Sequence, residues 1–419
     1  MIYTNSRKIP LHSLCIIVGP ANSGKTTLCN KKFPNYEILD PEKIKYELTG
    51  DNRSDLNHIV WNEIYRRINI KMAIGERVVL DSANLKKQNR INIANIALKY
   101  GVPIFYIIVD RQDKLKNAEN QNMIIKQDEL FKDNIMEILK GDGVAEVIDT
   151  RHEDFNVVNK FPSTNLLDEV HNRNYNGITV MGDIHGCLNS MRQSIMWALQ
   201  RNHLIVFLGD IIDYGPNSLE CIEEAYKLIT TGNAVMVIGN HERKIEKWFE
   251  QSKQGQIKIK LSDGNKITTT AIENLNYNQR EKIECKFKTI VNLSRHHWIF
   301  GNALLTHGAA DNDMWNINST RLFGKLENLA LFGEIDPKIP FKDDGFPNRI
   351  YSWVDTIPKG KMVFVGHDIR ATDKPLTVTG KSGGVAVFMD CGSGKGGSFF
   401  SADVLFKNND PTIQNFVKN

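Results

Sequence analysis

From Leu14 to Leu139 the chain alternates short, wholly apolar runs with segments of helical spacing. Leu14–Val18, Tyr36–Leu39, Arg77–Leu80 and Pro103–Val109 read as buried strands. Between them, Thr26–Lys32 begins a helix, and Leu56–Ile74 sets Leu56, Ile59, Val60, Ile64 and Ile68 on one face before Gly75. Asn89–Tyr100 closes at Gly101, and helical spacing resumes over Lys114–Leu139. Strands that are apolar on both faces need cover on both faces. The pattern therefore predicts an α/β domain over residues 1–150, with a parallel sheet between helices.

A polar, weakly periodic stretch follows and reads as a linker over 151–176, most turn-like at Asn172–Gly177. The second domain is expected over 177–419. Within it, Ile257, Ile259 and Leu261 alternate ahead of Ser262-Asp263-Gly264-Asn265 and Ile267, which predicts a β-hairpin over Gln256–Thr270, then a helix over Ala271–Cys285. Residues 251–300 are expected to form an insertion or cap over the site described next.

Six apolar runs of this second half each end in a metal-competent residue. They close as Gly182-Asp183-Ile184-His185-Gly186, Gly209-Asp210-Ile211-Ile212-Asp213, Gly239-Asn240-His241-Glu242, Thr306-His307-Gly308, Gly366-His367-Asp368 and Met389-Asp390-Cys391. Asp183, His185 and Asp210 are expected to hold one divalent cation. Asp210, Asn240, His307 and His367 are expected to hold a second, with Asp210 bridging. Mixed nitrogen and oxygen donors suit Mn²⁺, Fe or Zn²⁺ better than Ca²⁺, and Mn²⁺ is the expected pair. Such a pair activates water and stabilises charge at phosphorus, so the chemistry indicated is cleavage of a phosphate ester. His241 is expected as general acid on the leaving oxygen, its tautomer held by Asp213. The run Gly392-Ser393-Gly394-Lys395-Gly396-Gly397 looks like a phosphate cradle but lacks a strand–loop–helix context, and is expected only to turn the chain.

Near the N-terminus, Gly19-Pro20-Ala21-Asn22-Ser23-Gly24-Lys25-Thr26-Thr27 lies between a strand and a helix. Glycines in that context let backbone N–H groups wrap a triphosphate, Lys25 reaches its terminal oxygens, and Thr26 ligates Mg²⁺. ATP and Mg²⁺ are thus expected cofactors, with Gly19, Asn22, Ser23, Gly24, Lys25, Thr26 and Thr27 in contact. Asp40 and Asp81 end strands on the loop side of the sheet. One could accept a hydroxyl proton while the other orients Mg²⁺; each could equally be a helix cap.

Composition narrows the class. The 419 residues are 41% hydrophobic and 24% charged, enough for a buried core in each half, and no apolar run reaches bilayer length. Six cysteines without a Cys-x-x-Cys pair argue against a disulfide scaffold, so a cytoplasmic location is expected. A net charge of +4 gives no broad basic coat, so a nucleic-acid substrate would need a local groove.

Taken together, Gly19–Thr26, Ile38-Leu39-Asp40-Pro41-Glu42-Lys43 and Val79-Leu80-Asp81-Ser82-Ala83-Asn84 resemble the kinase module of polynucleotide kinase–phosphatases. The six strand endings resemble calcineurin-like metallophosphoesterases, whose fold is a β-sandwich flanked by helices. The resemblance implies Asp40 as the base that activates a 5′-hydroxyl, and Asp390 as an additional aspartate of the phosphatase site. It also implies a lid with two arginines, where the nearest matches here are Lys116 and Asn120, and an arginine where Lys43 stands. Lysine keeps the charge but loses the bidentate fork. Many monoesterases carry an arginine at the position of Tyr214; Arg243 or Arg370 could supply the missing cation.

The function implied is a bifunctional end-healing enzyme: an ATP-dependent 5′-hydroxyl polynucleotide kinase joined to a 3′-phosphatase or 2′,3′-cyclic-phosphate hydrolase. Its partners would be nucleic-acid ends, RNA favoured over DNA, and a separate ligase, without a membrane; a homo-oligomer stays open. The alternative is a protein phosphatase or dinucleoside polyphosphatase with a nucleotide-binding regulatory domain.

Overall fold

The computed structural model describes residues 7–50, 56–115, 120–341 and 347–419. The chain divides into two compact units, residues 1–160 with 230–232 and 277–289, and residues 161–229, 233–276 and 290–419.

The first unit is built on five parallel strands: β1 (Leu14–Val18), β2 (Ile38–Leu39), β3 (Val78–Leu80), β4 (Ile104–Ile108) and β5 (Glu146–Asp149), in the spatial order β2-β3-β1-β4-β5. The alternation of wholly apolar strands with helices Asn57–Ala73, Lys87–Tyr100 and Gln121–Leu139 fulfils the expected covered parallel sheet. Its two faces bury separate clusters. Leu14, Ile16 and Val18 pack with Ile64, Ile68 and Ile93 on one face. Cys15 and Ile17 pack with Phe33, Phe105 and Phe155 on the other. The last helix starts at Gln121 rather than Lys114, because the Asn120 side chain accepts from Met123 N and caps it.

One strand and a helix occupy the stretch expected as linker. Phe155–Val157 pairs in parallel with Arg7–Ile9, so the first unit continues past residue 150. Leu167–Asn172, within the stretch expected as linker, is helical.

In the second unit, β6 (Gly177–Met181), β7 (His203–Phe207) and β8 (Ala234–Met236) run parallel. The later strands are β9 (His297–Phe300), β10 (Ala303–Thr306), β11 (Met362–Val365), β12 (Leu376–Thr379), β13 (Val385–Phe388), β14 (Phe400–Lys407) and β15 (Asp410–Lys418). They complete two five-stranded sheets, ordered β8-β7-β6-β14-β15 and β9-β10-β11-β13-β12. A shared core from both sheets includes Val180, Val206, Trp298, Leu305, Phe364 and Val404, so the sheets form a sandwich. Trp298 is 2% exposed and its indole donates to Met236 O at 2.9 Å. Truncating it to alanine would cost about 3–5 kcal/mol.

The hairpin expectation fails. Ser262 and Asn265 form a reciprocal capping box that starts a helix over Asp263–Glu273, and Ile257 and Ile267 are about half exposed. A second helix spans Tyr277–Leu293, so the helix expected over Ala271–Cys285 is two helices broken near residue 275. The insertion boundary also moves: His297–Phe300 is a sandwich strand, and residues 277–289 cluster with the first unit.

Candidate metal centre and phosphate loop

Every expected ligand of the second unit sits just past the C-terminal end of a strand. Asp183 and His185 follow β6, Asp210 and Asp213 follow β7, and Asn240 and His241 open the helix Asn240–Lys253 after β8. His307 follows β10, His367 follows β11 and Asp390 follows β13. Because β6–β8 are mutually parallel, as are β10, β11 and β13, each sheet delivers its endings along one edge.

The donor atoms form two groups that share Asp210. One comprises His185, Asp210 and His241, the other Asp210, His307 and His367, with the ligand atoms of each group within 4.8 Å of one another. Asn240 joins the second group: its Oδ1 lies 2.9 Å from His307 Nε2 and 2.9 Å from His367 Nδ1. Asp183 Oδ2 lies 3.7 Å from His185 Nε2, and its carboxylate accepts the backbone N–H of His367 at 3.1 Å.

The imidazoles of His185 and His307 are oriented as cation ligands. His185 Nδ1 donates to Ile212 O at 2.9 Å, leaving Nε2 as the lone-pair nitrogen, buried without a hydrogen-bond partner among the described residues. His307 Nδ1 donates to Leu208 O at 2.7 Å, so its Nε2 lone pair faces Asp210 Oδ2 at 3.3 Å. Lone pairs aimed at carboxylate oxygens repel unless a cation lies between them. Asp390 Oδ2 is likewise buried without a partner, while Oδ1 accepts from Gly392 N at 2.9 Å. The donor set therefore fits divalent metal.

The electrostatics point the same way. Burial and then the neighbouring Asp390 raise the Asp183 carboxyl well above its usual range. Burial would also raise Asp210, but His307 and His241 outweigh it and hold it low. His307 would be lowered by burial, yet Asp210 and Asp183 lift it to about 9. His185 is pushed down to about 3 by burial, against the pull of Asp210.

Asp213 Oδ2 lies 2.5 Å from His241 Nδ1 and also accepts from Asn265 Nδ2. This turns His241 Nε2 toward Asp210 Oδ2, at 3.8 Å. In that position His241 can act either as a ligand or as a proton donor.

Arg243, expected as a substrate cation, is engaged by two carboxylates, those of Glu246 and Glu327. Arg370 stacks 3.7 Å from the Tyr351 ring centroid. Sequence reasoning also missed contributors. The fully buried Glu242 accepts from Asp210 N, Ile211 N and Gly239 N at 2.9, 2.9 and 3.0 Å, tying together the loops that present the ligands. Arg349 approaches His367 Nε2 at 2.6 Å. Asn265 came from the stretch read as a hairpin, although the spacing Ser262-x-x-Asn265 was the available signal of a helix start.

In the first unit, the loop from Gly19 to Gly24 leads into the helix Lys25–Lys32. Gly19 is required by packing, since a Cβ there would lie 2.0 Å from Val109 O. Asn22 and Gly24 take positive φ of 58° and 97°, which turn the loop back before the helix. Lys25 Nζ donates to Pro20 O at 2.6 Å, lying over its own loop, and burial lowers its pKa. Thr26 Oγ1 donates to Asp81 Oδ2 at 2.6 Å, bringing the expected Mg²⁺ hydroxyl and an acidic strand end together. Ser23 Oγ is buried without a partner among the described residues, and Thr27 stands exposed in the first helical turn. Asp40 caps the helix Pro41–Thr49 through one oxygen, accepting from Glu42 N at 2.9 Å. Lys43 is exposed on that helix. Lys116 lies outside the described residues, and Asn120 serves as a helix cap rather than a lid donor.

Comparison with known proteins agrees with both halves. Residues 177–370 match the calcineurin-like phosphoesterase family, and residues 14–122 match an AAA domain family. Among curated relatives, a bis(5′-nucleosyl)-tetraphosphatase (asymmetrical) of Oceanobacillus iheyensis is 29% identical over 120 residues, covering 26% of this chain and 46% of that protein. One of Halalkalibacterium halodurans is 25% identical over 201 residues, covering 45% and 76%. The chain thus spans about half the length of the first of these relatives and three quarters of the second. A solved metallophosphoesterase from Sphaerobacter thermophilus is 16% identical with a TM-score of 0.31, covering 58% of this chain and 87% of that one. The chain carries a P-loop, kinase-like domain at its N-terminus and a calcineurin-like metallophosphoesterase domain at its C-terminus.

Proposed function

We propose that this chain heals nucleic-acid ends, adding phosphate to a 5′-hydroxyl with its first domain and removing it from a 3′ end, cyclic phosphate included, with its second. The observation that carries the reading is the presence, in one chain, of a phosphate loop with Asp81 on Thr26 and of two ligand groups meeting at Asp210. Divalent cations, when bound by Asp183, His185, Asp210, Asn240, His307 and His367, supply Lewis acidity and activated water at phosphorus. The protein residues position and protonate. Glu242 fixes the backbone that carries Asp210, Asp213 orients His241, and His241 Nε2 gives its proton to the departing oxygen. In the first domain Lys25 neutralises the γ-phosphoryl, and the free oxygen of Asp40 accepts the hydroxyl proton.

A second reading is favoured by the relatives named bis(5′-nucleosyl)-tetraphosphatases: hydrolysis of a dinucleoside polyphosphate, with nucleotide binding at the P-loop as regulation. One experiment separates the two. The protein is incubated with end-labelled cleaved RNA, ATP, Mg²⁺ and Mn²⁺, both termini are analysed, and diadenosine tetraphosphate hydrolysis is measured in parallel. End healing predicts ATP-dependent 5′ labelling lost in Asp40→Asn, with 3′ dephosphorylation intact. No 5′ transfer by the wild-type chain, together with rapid diadenosine tetraphosphate cleavage, would replace it with the second reading.

A further inference from the structure

The glycine-rich run after β13 turns the chain, as its sequence suggests, but it also places a cation beside the metal centre. Lys395 Nζ stands 4.7 Å from the centroid of the Tyr214 ring. That ring packs edge-on against His185, at 4.9 Å, and tilted against His241, at 5.5 Å, forming a wall of the first ligand group. The loop is anchored from inside the site. Gly392 N donates to Asp390 Oδ1 at 2.9 Å, and Ser393 Oγ donates to Ile184 O at 3.0 Å. Lys395 N and Gly397 N both donate to Gly392 O, at 2.9 and 2.8 Å. Gly394, at φ 71°, passes so close that a Cβ would lie 2.8 Å from the Cβ of His185. The lysine backbone is therefore fixed while its side chain stays exposed.

Its charge is also uncommitted. Lys395 makes no ion pair with a carboxylate among the described residues, whereas Arg243 is held by Glu246 and Glu327, and Arg349 lies beside Asp368. A terminal phosphate carries a second negative charge that a diester lacks, and a tyrosine side chain brings no cation to meet it.

We propose that Lys395, steadied over Tyr214, grips the non-reacting oxygens of a terminal phosphate and makes the second domain favour dianionic monoesters over monoanionic diesters. This rests on the phosphoesterase reading of that site.

The test uses the Mn²⁺-loaded full chain as wild type, Lys395→Ala and Lys395→Arg, with p-nitrophenyl phosphate and bis(p-nitrophenyl) phosphate as substrates. Inorganic phosphate binding is measured by calorimetry. For Lys395→Ala, KM for the monoester should rise roughly tenfold, a charge-assisted contact discounted for exposure, with kcat within about twofold. Phosphate affinity should fall in parallel, the diester should be unaffected, and Lys395→Arg should recover most of the loss. Unchanged monoester KM and phosphate affinity, or equal losses on both esters, would overturn the assignment. A wild-type chain that hydrolyses neither ester would show instead that the phosphoesterase reading is wrong, and the proposal would fall with it.

Discussion

Replacing Asp213 with Asn tests whether His241 delivers a proton. Asp213 Oδ2 takes hydrogen bonds from His241 Nδ1 and Asn265 Nδ2, while Oδ1 is buried without a partner among the described residues. An asparagine oxygen in the Oδ2 position keeps both donors, but its NH₂ is then buried unpaired; the flipped amide sets NH₂ against two N–H groups. In either case the negative charge is gone. Near 4 Å and an effective dielectric of 20, a carboxylate stabilises an imidazolium by about 4 kcal/mol, and the charge-assisted bond itself is worth about 1.5–3 kcal/mol. The barrier for a step needing the charged ring should therefore rise by about 2–4 kcal/mol, or roughly 30- to 1,000-fold in rate. The assay compares glycerol phosphate, whose alkoxide must be protonated as it leaves, with p-nitrophenyl phosphate, whose phenolate need not be. Asp213→Asn should lose that factor on the alkyl ester and less than about fivefold on the aryl ester. Equal losses on both esters, with weakened Mn²⁺ binding, would refute the reasoning and place His241 among the metal ligands.

Glu242→Gln replaces one of two acceptor oxygens with an NH₂, leaving at least one of the three backbone N–H donors unpaired, and removes the charge, so it should destabilise the second domain by about 2–4 kcal/mol, read from urea unfolding, and weaken Mn²⁺ binding. Burial holds His12 and His297 down to about 4. Since the unfolded chain takes up these protons near pH 6.5, stability should be full above that pH and fall as pH drops toward 4, by at most about 3 kcal/mol per histidine. His12→Asn should flatten its share of this acid limb in thermal unfolding measured between pH 7 and 4.5. Stripping divalent ions should abolish ester hydrolysis, and Mn²⁺ at a hundredfold over its dissociation constant should stabilise the folded chain by about 2.7 kcal/mol. A urea midpoint indifferent to Mn²⁺ would count against the two groups at Asp210.

The parts of this molecule legible in the sequence are those written in continuous runs. Leu14–Val18 and Val78–Leu80 are apolar on every residue because both faces of the sheet are covered, and the same burial makes the six ligand-bearing runs visible. Periodicity misled where it was short: Ile257, Ile259 and Leu261 alternate by chance ahead of a helix whose start is set by Ser262 and Asn265. Glu242 stood within a quoted motif, but its role depends on amides of Asp210 and Ile211, which only the fold brings to it. Choosing among Arg243, Arg370 and Lys395 as the cation near Tyr214 was beyond sequence for the same reason. Each lies close to a motif, and only the carboxylates and rings around them decide which is committed elsewhere.

Backbone conformation explains how the site keeps its shape. Among the described residues, eleven other than glycine have positive φ, and five of them are His185, Asp210, Asp213, Tyr214 and His367. The other six are asparagine or aspartate, which tolerate that region; Tyr214 is the one residue of the eleven that is not Asn, Asp or His. Such conformations cost on the order of 1–3 kcal/mol each and persist where surrounding bonds over-determine them. Those bonds are present here. Glu242 holds Asp210 N, the Asp183 carboxylate holds His367 N, and Gly215 N donates to both His185 O and Asp213 O. The ligand directions are thus imposed by strand-end loops tied to one another. That is why the loss of Glu242, which holds the backbone amides of Asp210, Ile211 and Gly239, should weaken metal binding as well as the fold.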